Sequence, residues 1–213
     1  MQVPDFIRVC IADPKALSDA GIQVSRAELA QAHDTLRQAR ANLIEAQAAE
    51  SELDTRQAAL SARIEDLRHK LADKRSLLGI TKGKPEAFTT TARRHAETRR
   101  DYDFALLALD ILIAGERLPA ALAVKQGDLA VLQAERAWIY AKGEELTRIL
   151  WRPIAQAAGF DPAIDVILPA DTQIASIVRD LGQRDASIDQ LQAEITHDTE
   201  FIRVQQTASG LLF

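Results

Sequence analysis

A glycine- and lysine-rich stretch, GITKGK (79–84), is the first candidate for chemistry, because the backbone amides of such loops can cradle phosphate. The Walker A motif needs a glycine, four residues, and then Gly-Lys-Ser/Thr. With Gly83-Lys84 at its end, the leading glycine falls on Leu78 and the hydroxyl falls on Pro85. A long helical pattern also precedes the loop, where the motif needs a strand. The stretch therefore predicts a turn between helices rather than a nucleotide site.

The remaining reactive side chains show no catalytic or metal-binding spacing. The four histidines (His33, His69, His95 and His197) do not form HExxH, and they are expected on solvated helix surfaces. Cys10 is the only cysteine, which excludes an intrachain disulfide and a multi-cysteine zinc site. We expect no catalytic residue, no cofactor and no metal, and hence no enzyme. A metal held inside a helical bundle is kept as a third hypothesis.

Charge is distributed unevenly along a chain of 213 residues with a net charge of −5. Positions 68–100 hold ten basic residues and three acids, a net of +7, and positions 161–200 hold nine acids and two arginines, a net of −7. The ten basic residues are Arg68, Lys70, Lys74, Arg75, Lys82, Lys84, Arg93, Arg94, Arg99 and Arg100. We call this set the basic cluster.

Two interpretations of the basic cluster are open. It could bind a polyanion, either nucleic acid or an acidic membrane face. Alternatively, it could face the acidic last helix of the same chain or of a neighbouring chain and so set pairing and orientation. The second is favoured, since the acidic segment exists in the sequence and only Phe88 and Tyr102 could stack on bases there.

Heptad spacing indicates the elements that hold these charges. Two apolar seams are expected to mediate self-association. The first seam contains Leu29, Leu36, Leu43, Leu53, Leu60, Ile64, Leu67 and Leu71 and continues to Leu78, with alanines at positions 32, 39 and 46 and polar residues at positions 50, 57 and 74. The last seam contains Ile174, Ile177, Leu181, Ile188, Leu191 and Ile195.

Local signals set the expected helix ends. The capping box SRAE places the start of the first helix at Ser25, and Gly79 is expected to end it in a left-handed conformation. One of the threonines at positions 89–91 should cap the second helix. GERLP (115–119) is either a kink or a full turn. Small residues from Ala120 to Ala141 predict close packing against the alanines of the first helix.

The sequence thus predicts an all-α fold: a long antiparallel coiled coil, or three- to four-helix bundle, with a short non-helical N-terminal arm. The expected segments are an arm (1–24), a helical hairpin (25–158) with helices at about 25–78, 89–114 and 119–158, a crossover loop (159–170) and a last helix (171–207). A composition of 47% hydrophobic and 5% aromatic residues fits this class.

These features favour a non-enzymatic structural protein, a coiled-coil spacer, stalk or adaptor in a larger complex. A phage particle or a bacterial secretion apparatus would suit such a part. The expected partners are further copies of the chain or other subunits, with nucleic acid less favoured. No membrane span is expected. The N-terminus shows no cleaved signal peptide, so the expected location is the cytoplasm or a particle assembled there.

Overall fold

The computed structural model of the chain describes residues 18–158, residues 172–208 and Gly210. Of these residues 97% are helical, and none lies in a strand. Helix α1 spans Asp19–Thr81 and α2 spans Pro85–Ile111. A π-helical segment, Leu112–Arg117, leads into α3 (Leu118–Ala158), and α4 spans Thr172–Ala208. The all-α prediction is confirmed.

The described residues form two compact units. The bundle unit comprises Met1–Glu45 and Lys125–Thr196, and the hairpin unit comprises Ala46–Val124 and His197–Phe213. In the bundle unit α1 and α4 both run antiparallel to α3, and in the hairpin unit α1 runs antiparallel to α2. The expected arm (1–17 of it) and the crossover loop lie outside the described residues.

The heptad stripe of α1 is the buried side of that helix. Between Arg26 and Ile80, every residue at a predicted seam position is buried or half-buried, and every other residue is exposed. The predicted seam residues of α4 are also buried or half-buried, with Ile174 at 1% and Ile188 at 8% exposure, but residues beside the seam such as Ala175 and Val178 are half-buried as well. The stripes pack inside one chain because apolar residues at this period share one helix face. That they also bring copies together stays a prediction.

The start of α1 differs from the expectation at Ser25. The helix begins six residues earlier, where the Ser18 hydroxyl accepts a hydrogen bond from the Gly21 amide at 3.2 Å. Ser25 lies inside the helix at 1% exposure, and its hydroxyl donates to the Gly21 carbonyl at 3.1 Å. The capping box was wrong, because a serine four residues after a free carbonyl can instead bond back along the helix.

The turn between α1 and α2 also differs from the expectation. Gly79 does not end α1, which continues to Thr81, and no described residue except Gly210 has a positive φ. The Lys84 amide donates to the Thr81 carbonyl at 2.8 Å, and Pro85 then opens α2. Proline suits a first helical position, since it lacks an amide that would have no partner there.

The threonines do not cap α2. Thr89 and Thr91 already lie within the helix, and their hydroxyls donate to the carbonyls four residues earlier, at 2.9 and 2.8 Å. Lys84 occupies the position before the helix in an extended conformation, with no side-chain cap. The prediction of a start near residue 89 was therefore four residues late.

The GERLP stretch is not a full turn, because the helix continues through it with π-type hydrogen bonding. The Leu118 amide donates to the Ile113 carbonyl, five residues back. The Leu118 amide is therefore not available as the α-type donor to the Ala114 carbonyl. Pro119, which would be the π-type donor, has no amide hydrogen, so that carbonyl lacks both. Gln206 of α4 supplies a replacement, with its side-chain amide 3.2 Å from that oxygen.

Close helix packing is present in the bundle unit at Gly127. A β-carbon placed on Gly127 would lie 3.0 Å from Cδ1 of Leu43 and 3.5 Å from its Cα. The partner of this small residue is thus a leucine rather than one of the alanines of α1. Ala134 and Ala141 continue the same face of α3 at 6% and 7% exposure.

Candidate functional site: the basic hairpin tip

The basic cluster lies in the hairpin unit, on the last turns of α1 and on α2, and the turn at residues 82–84 joins the two helices. A small apolar core holds the helices together below the turn. It consists of Ile64, Leu67 and Ala105, with Tyr102 and Leu109 packed against it. The cluster therefore stands at the end of a packed helix pair, and we call residues 68–100 the hairpin tip.

Four members of the cluster are compensated within their own helix. Each pairs with an acid three or four residues away: Arg68 with Glu65 at 3.5 Å, Lys70 with Asp66 at 2.6 Å, Arg93 with Glu97 at 3.1 Å and Arg99 with Asp103 at 3.0 Å. All eight side chains are more than half exposed. Exposed pairs at this spacing contribute little stability, so they neutralise charge locally without fixing the fold.

Lys74 is the one member that points into the helix pair. It occupies a seam position and is half-buried. Its ammonium donates to the Thr98 hydroxyl and to the Arg94 carbonyl, the latter at 3.3 Å. Thr98 is itself 7% exposed and donates onward to the Arg94 carbonyl at 2.9 Å. Lys74 therefore serves to join α1 to α2.

The other five members are exposed, and within the described part of the chain no acid pairs with them. They are Arg75, Lys82, Lys84, Arg94 and Arg100. A cation in water that lacks a counter-charge in its own fold remains available to an external anion. The structure thus divides the ten predicted contact residues into four compensated, one internal and five available.

Acidic side chains of α4 pair with basic residues that do not belong to the basic cluster. Asp185 accepts a hydrogen bond from Arg136, and Glu194 lies 3.6 Å from Lys125. Glu200 pairs with Arg203 of its own helix at 2.6 Å. Among the described residues, no carboxylate of α4 pairs with the basic cluster, so contact between the cluster and the acidic last helix of the same chain stays a prediction. The interpretation with a neighbouring chain stays open.

Exposed apolar side chains accompany the free cations at the tip. Leu77 and Ile80, three residues apart on α1, are 48% and 77% exposed, and Phe88 on α2 is 40% exposed. Leu77 and Ile80 were not predicted, although Leu77 lies off the seam inside the expected first helix. A helix carried on to Thr81 would have placed Ile80 off the seam as well, and an apolar residue off the seam is the signal that could have found both.

A second polar arrangement, also missed, surrounds Arg148 in the bundle unit. Arg148 is 8% exposed, and one of its terminal nitrogens donates to the Gly21 carbonyl at 2.8 Å and to the Ser25 hydroxyl at 2.5 Å. Burial raises the pKa of Glu144; the charge of Arg148 lowers it and that of Glu28 raises it further. This arrangement attaches the start of α1 to the last turns of α3.

Neither of these arrangements is a metal centre, because the described residues contain no cluster of three or more histidine, cysteine or acidic side chains that could hold one. None of the helices in the described ranges is long and apolar enough to cross a bilayer. No family model, no curated protein and no solved structure matches this chain.

Proposed function

We propose that this protein is a non-enzymatic spacer or adaptor in a multi-subunit assembly. The observation that carries the proposal is the uninterrupted heptad stripe of α1, which is buried or half-buried at its seam positions and exposed everywhere else from Arg26 to Ile80. A helix of 63 residues with one covered face is suited to holding attachment points apart.

Ion pairs between helices support this proposal in the bundle unit. Glu135 of α3 forms ion pairs with Arg40 of α1 at 2.9 Å and with Arg184 of α4 at 3.1 Å, and its side chain is 17% exposed. Arg26 of α1 also pairs with Glu145 at 3.0 Å. Pairs of this kind fix which turn of one helix faces which turn of its neighbour. A spacer needs such a fixed register, because sliding between its helices would change its length.

The test is the mass of the purified chain in solution, measured by light scattering at low and at high salt. Assembly through apolar seams predicts an oligomer whose mass does not fall when salt is added, because apolar contacts are not screened. An oligomer that dissociates at high salt would instead indicate contact through charge. A monomer under both conditions would contradict self-association and would leave only an adaptor role with other subunits.

A second candidate function is polyanion binding by the hairpin tip. It is favoured by the five exposed cations of the tip that have no acidic partner in the described residues. Binding of this kind weakens steeply as salt rises, because counterions are released from the polyanion on binding. The experiment in the next section tests this candidate with lipid and with DNA.

A further inference from the structure

We propose that the hairpin tip binds the surface of an anionic lipid bilayer, with Lys82 and Lys84 among the headgroups and Ile80 at the boundary of the acyl chains. This inference rests on the second candidate function and is independent of the spacer proposal. It names the polyanion: a lipid surface that offers negative charge and an apolar layer a few ångströms apart.

Basic residues outnumber acids at the very end of the hairpin. Positions 74–85 contain four basic residues and no acid, and the exposed acids Asp73 and Glu86 border them. Lys74 is used inside the helix pair, whereas Arg75, Lys82 and Lys84 are exposed, with no acidic partner among the described residues. Below this end, four basic residues are compensated by acids of their own helices, whereas Arg94 and Arg100 pair with no acid in the described part of the chain. Attraction to anionic headgroups is therefore centred on the turn, and Arg94 and Arg100 add to it.

Apolar exposure is concentrated at the same place. Ile80 lies two residues before Lys82 and is 77% exposed, the highest value among the large exposed apolar side chains of the described residues. Leu77, one helical turn earlier on the same face, is 48% exposed. Basic residues beside aliphatic ones suit the bilayer interface, where the apolar group enters the acyl boundary while the cations stay at the headgroups.

This combination favours lipid over the other acidic partners. Nucleic acid would engage the cations but leave Ile80 and Leu77 in water, and Phe88 is the only aromatic residue near the turn that could stack on a base. An acidic protein would need a pocket shaped to two aliphatic side chains on one helix turn. A bilayer needs no such shape, because its acyl chains adjust to whatever enters.

The experiment measures co-sedimentation of the full chain with vesicles of phosphatidylcholine alone or of an equal mixture with phosphatidylserine. We expect binding to the mixed vesicles, none to phosphatidylcholine alone, and weakening as salt is added. The double variant Lys82→Glu/Lys84→Glu should weaken the partition coefficient by about tenfold or more, since each basic residue near an anionic surface contributes separately. Ile80→Ser should weaken it by about threefold or more.

Two variants in the bundle unit serve as matched controls. Ile44→Ser changes the same residue type on the same helix, and Ile44 is 65% exposed. Arg37→Glu/Arg179→Glu changes the net charge as the tip variant does, at side chains that are 78% and 69% exposed. Both controls should bind mixed vesicles as the unchanged chain does. Circular dichroism of all the variants should show unchanged helicity, because every altered side chain is exposed.

Three results would overturn the inference. The first is failure of the unchanged chain to bind mixed vesicles at low salt. The second is an equal loss of binding in the tip variants and their controls, which would mean that net charge alone drives adsorption. The third is binding to a duplex DNA oligonucleotide that depends on Lys82 and Lys84, without binding to vesicles. That third result would keep the second candidate function but exchange lipid for nucleic acid.

Discussion

In the bundle unit, ion pairs such as those of Glu135 with Arg40 and Arg184 join different helices, although Arg37 and Arg179 pair within their own helix. At the hairpin tip, the ion pairs of the described residues join residues three or four apart on one helix.

The difference follows from the balance of charge. Where both signs are present, charged side chains of neighbouring helices pair, as Arg56 with Glu116 and Arg117 with Asp54 also do in the hairpin unit. The tip holds ten basic residues and three acids, so the nearest opposite charge is on the same helix or is missing.

The largest effect that would sharpen this comparison is expected from packing at glycine. Gly127→Val should destabilise the protein by about 1–3 kcal/mol, because a β-carbon there already meets Leu43 at 3.0 Å. Gly79→Val in the hairpin unit and Gly182→Val in α4 meet nothing within 4 Å. These two should change stability by less than about 0.5 kcal/mol. Urea unfolding of the three variants measures the contrast, and equal losses would mean that helix propensity, not contact, governs all three positions.

The second effect compares the two kinds of ion pair. Glu135→Gln removes the charge that joins three helices and should destabilise the protein by about 1–2 kcal/mol, since two arginines lose their counter-charge at a side chain that is 17% exposed. Asp66→Asn at the tip removes a 2.6 Å pair with Lys70 whose side chains are both more than half exposed. Its cost should stay below about 0.5 kcal/mol. A loss at Asp66 as large as that at Glu135 would contradict the distinction between the regions.

The smallest expected effect is a difference in pH dependence. Burial raises the pKa of Glu144 in the bundle unit, so the folded state binds that proton more tightly than the unfolded state does. Its contribution to stability therefore falls as pH rises from the ordinary pKa through the raised one. Arg203 lowers the pKa of Glu200 in the hairpin unit by a hydrogen bond and by its charge. That contribution rises with pH, from the lowered pKa to the ordinary one.

Two variants separate these opposite slopes. Glu144→Gln should remove a loss of stability on going from acid to neutral pH, and Glu200→Gln should remove a gain. Urea midpoints measured across the acid range check both. If both variants change the slope in the same direction, neither local environment controls the titration as described.

The sequence predicted the helix faces well because their period is repeated many times. Leu36, Ile64 and Leu67 are buried where the heptad places them, and Ile174 and Ile188 are buried in α4. Each repeat adds to the same signal, so a single polar residue such as Gln57 does not obscure it. The half-burial of Lys74 follows from the same count.

The helix ends were predicted poorly because each rests on a single residue. Ser25 has the chemistry of a cap, yet burial against Arg148 makes it an interior residue of α1. Gly79 can adopt a left-handed conformation but is not compelled to, and α1 continues through it. The choice at Ser25 depends on a contact with a residue more than a hundred positions away, and no local pattern contains it.

The site was predicted in part. The ten basic residues could be identified, and pairs such as Arg93–Glu97 follow from their spacing alone. Which cations remain free depends on where the turn falls, and that was misplaced. The three-helix contacts of Glu135 could not be predicted at all, because they require the register of α4 against α3.

The π-helical segment affects how α2 and α3, whose buried positions follow different heptad registers, pack along α1. Buried positions before it recur every seven residues at Thr98, Ala105 and Leu112, and those after it recur at Ala134, Ala141 and Arg148. The two series are out of phase by one residue. The wider π-helical turn at Leu112–Arg117 accommodates that one residue, so the buried positions on both sides of it return to the same face of the helix. The heptad stripe of α1 can therefore stay unbroken, although the helix that runs from α2 through the π-helical segment into α3 carries an extra residue.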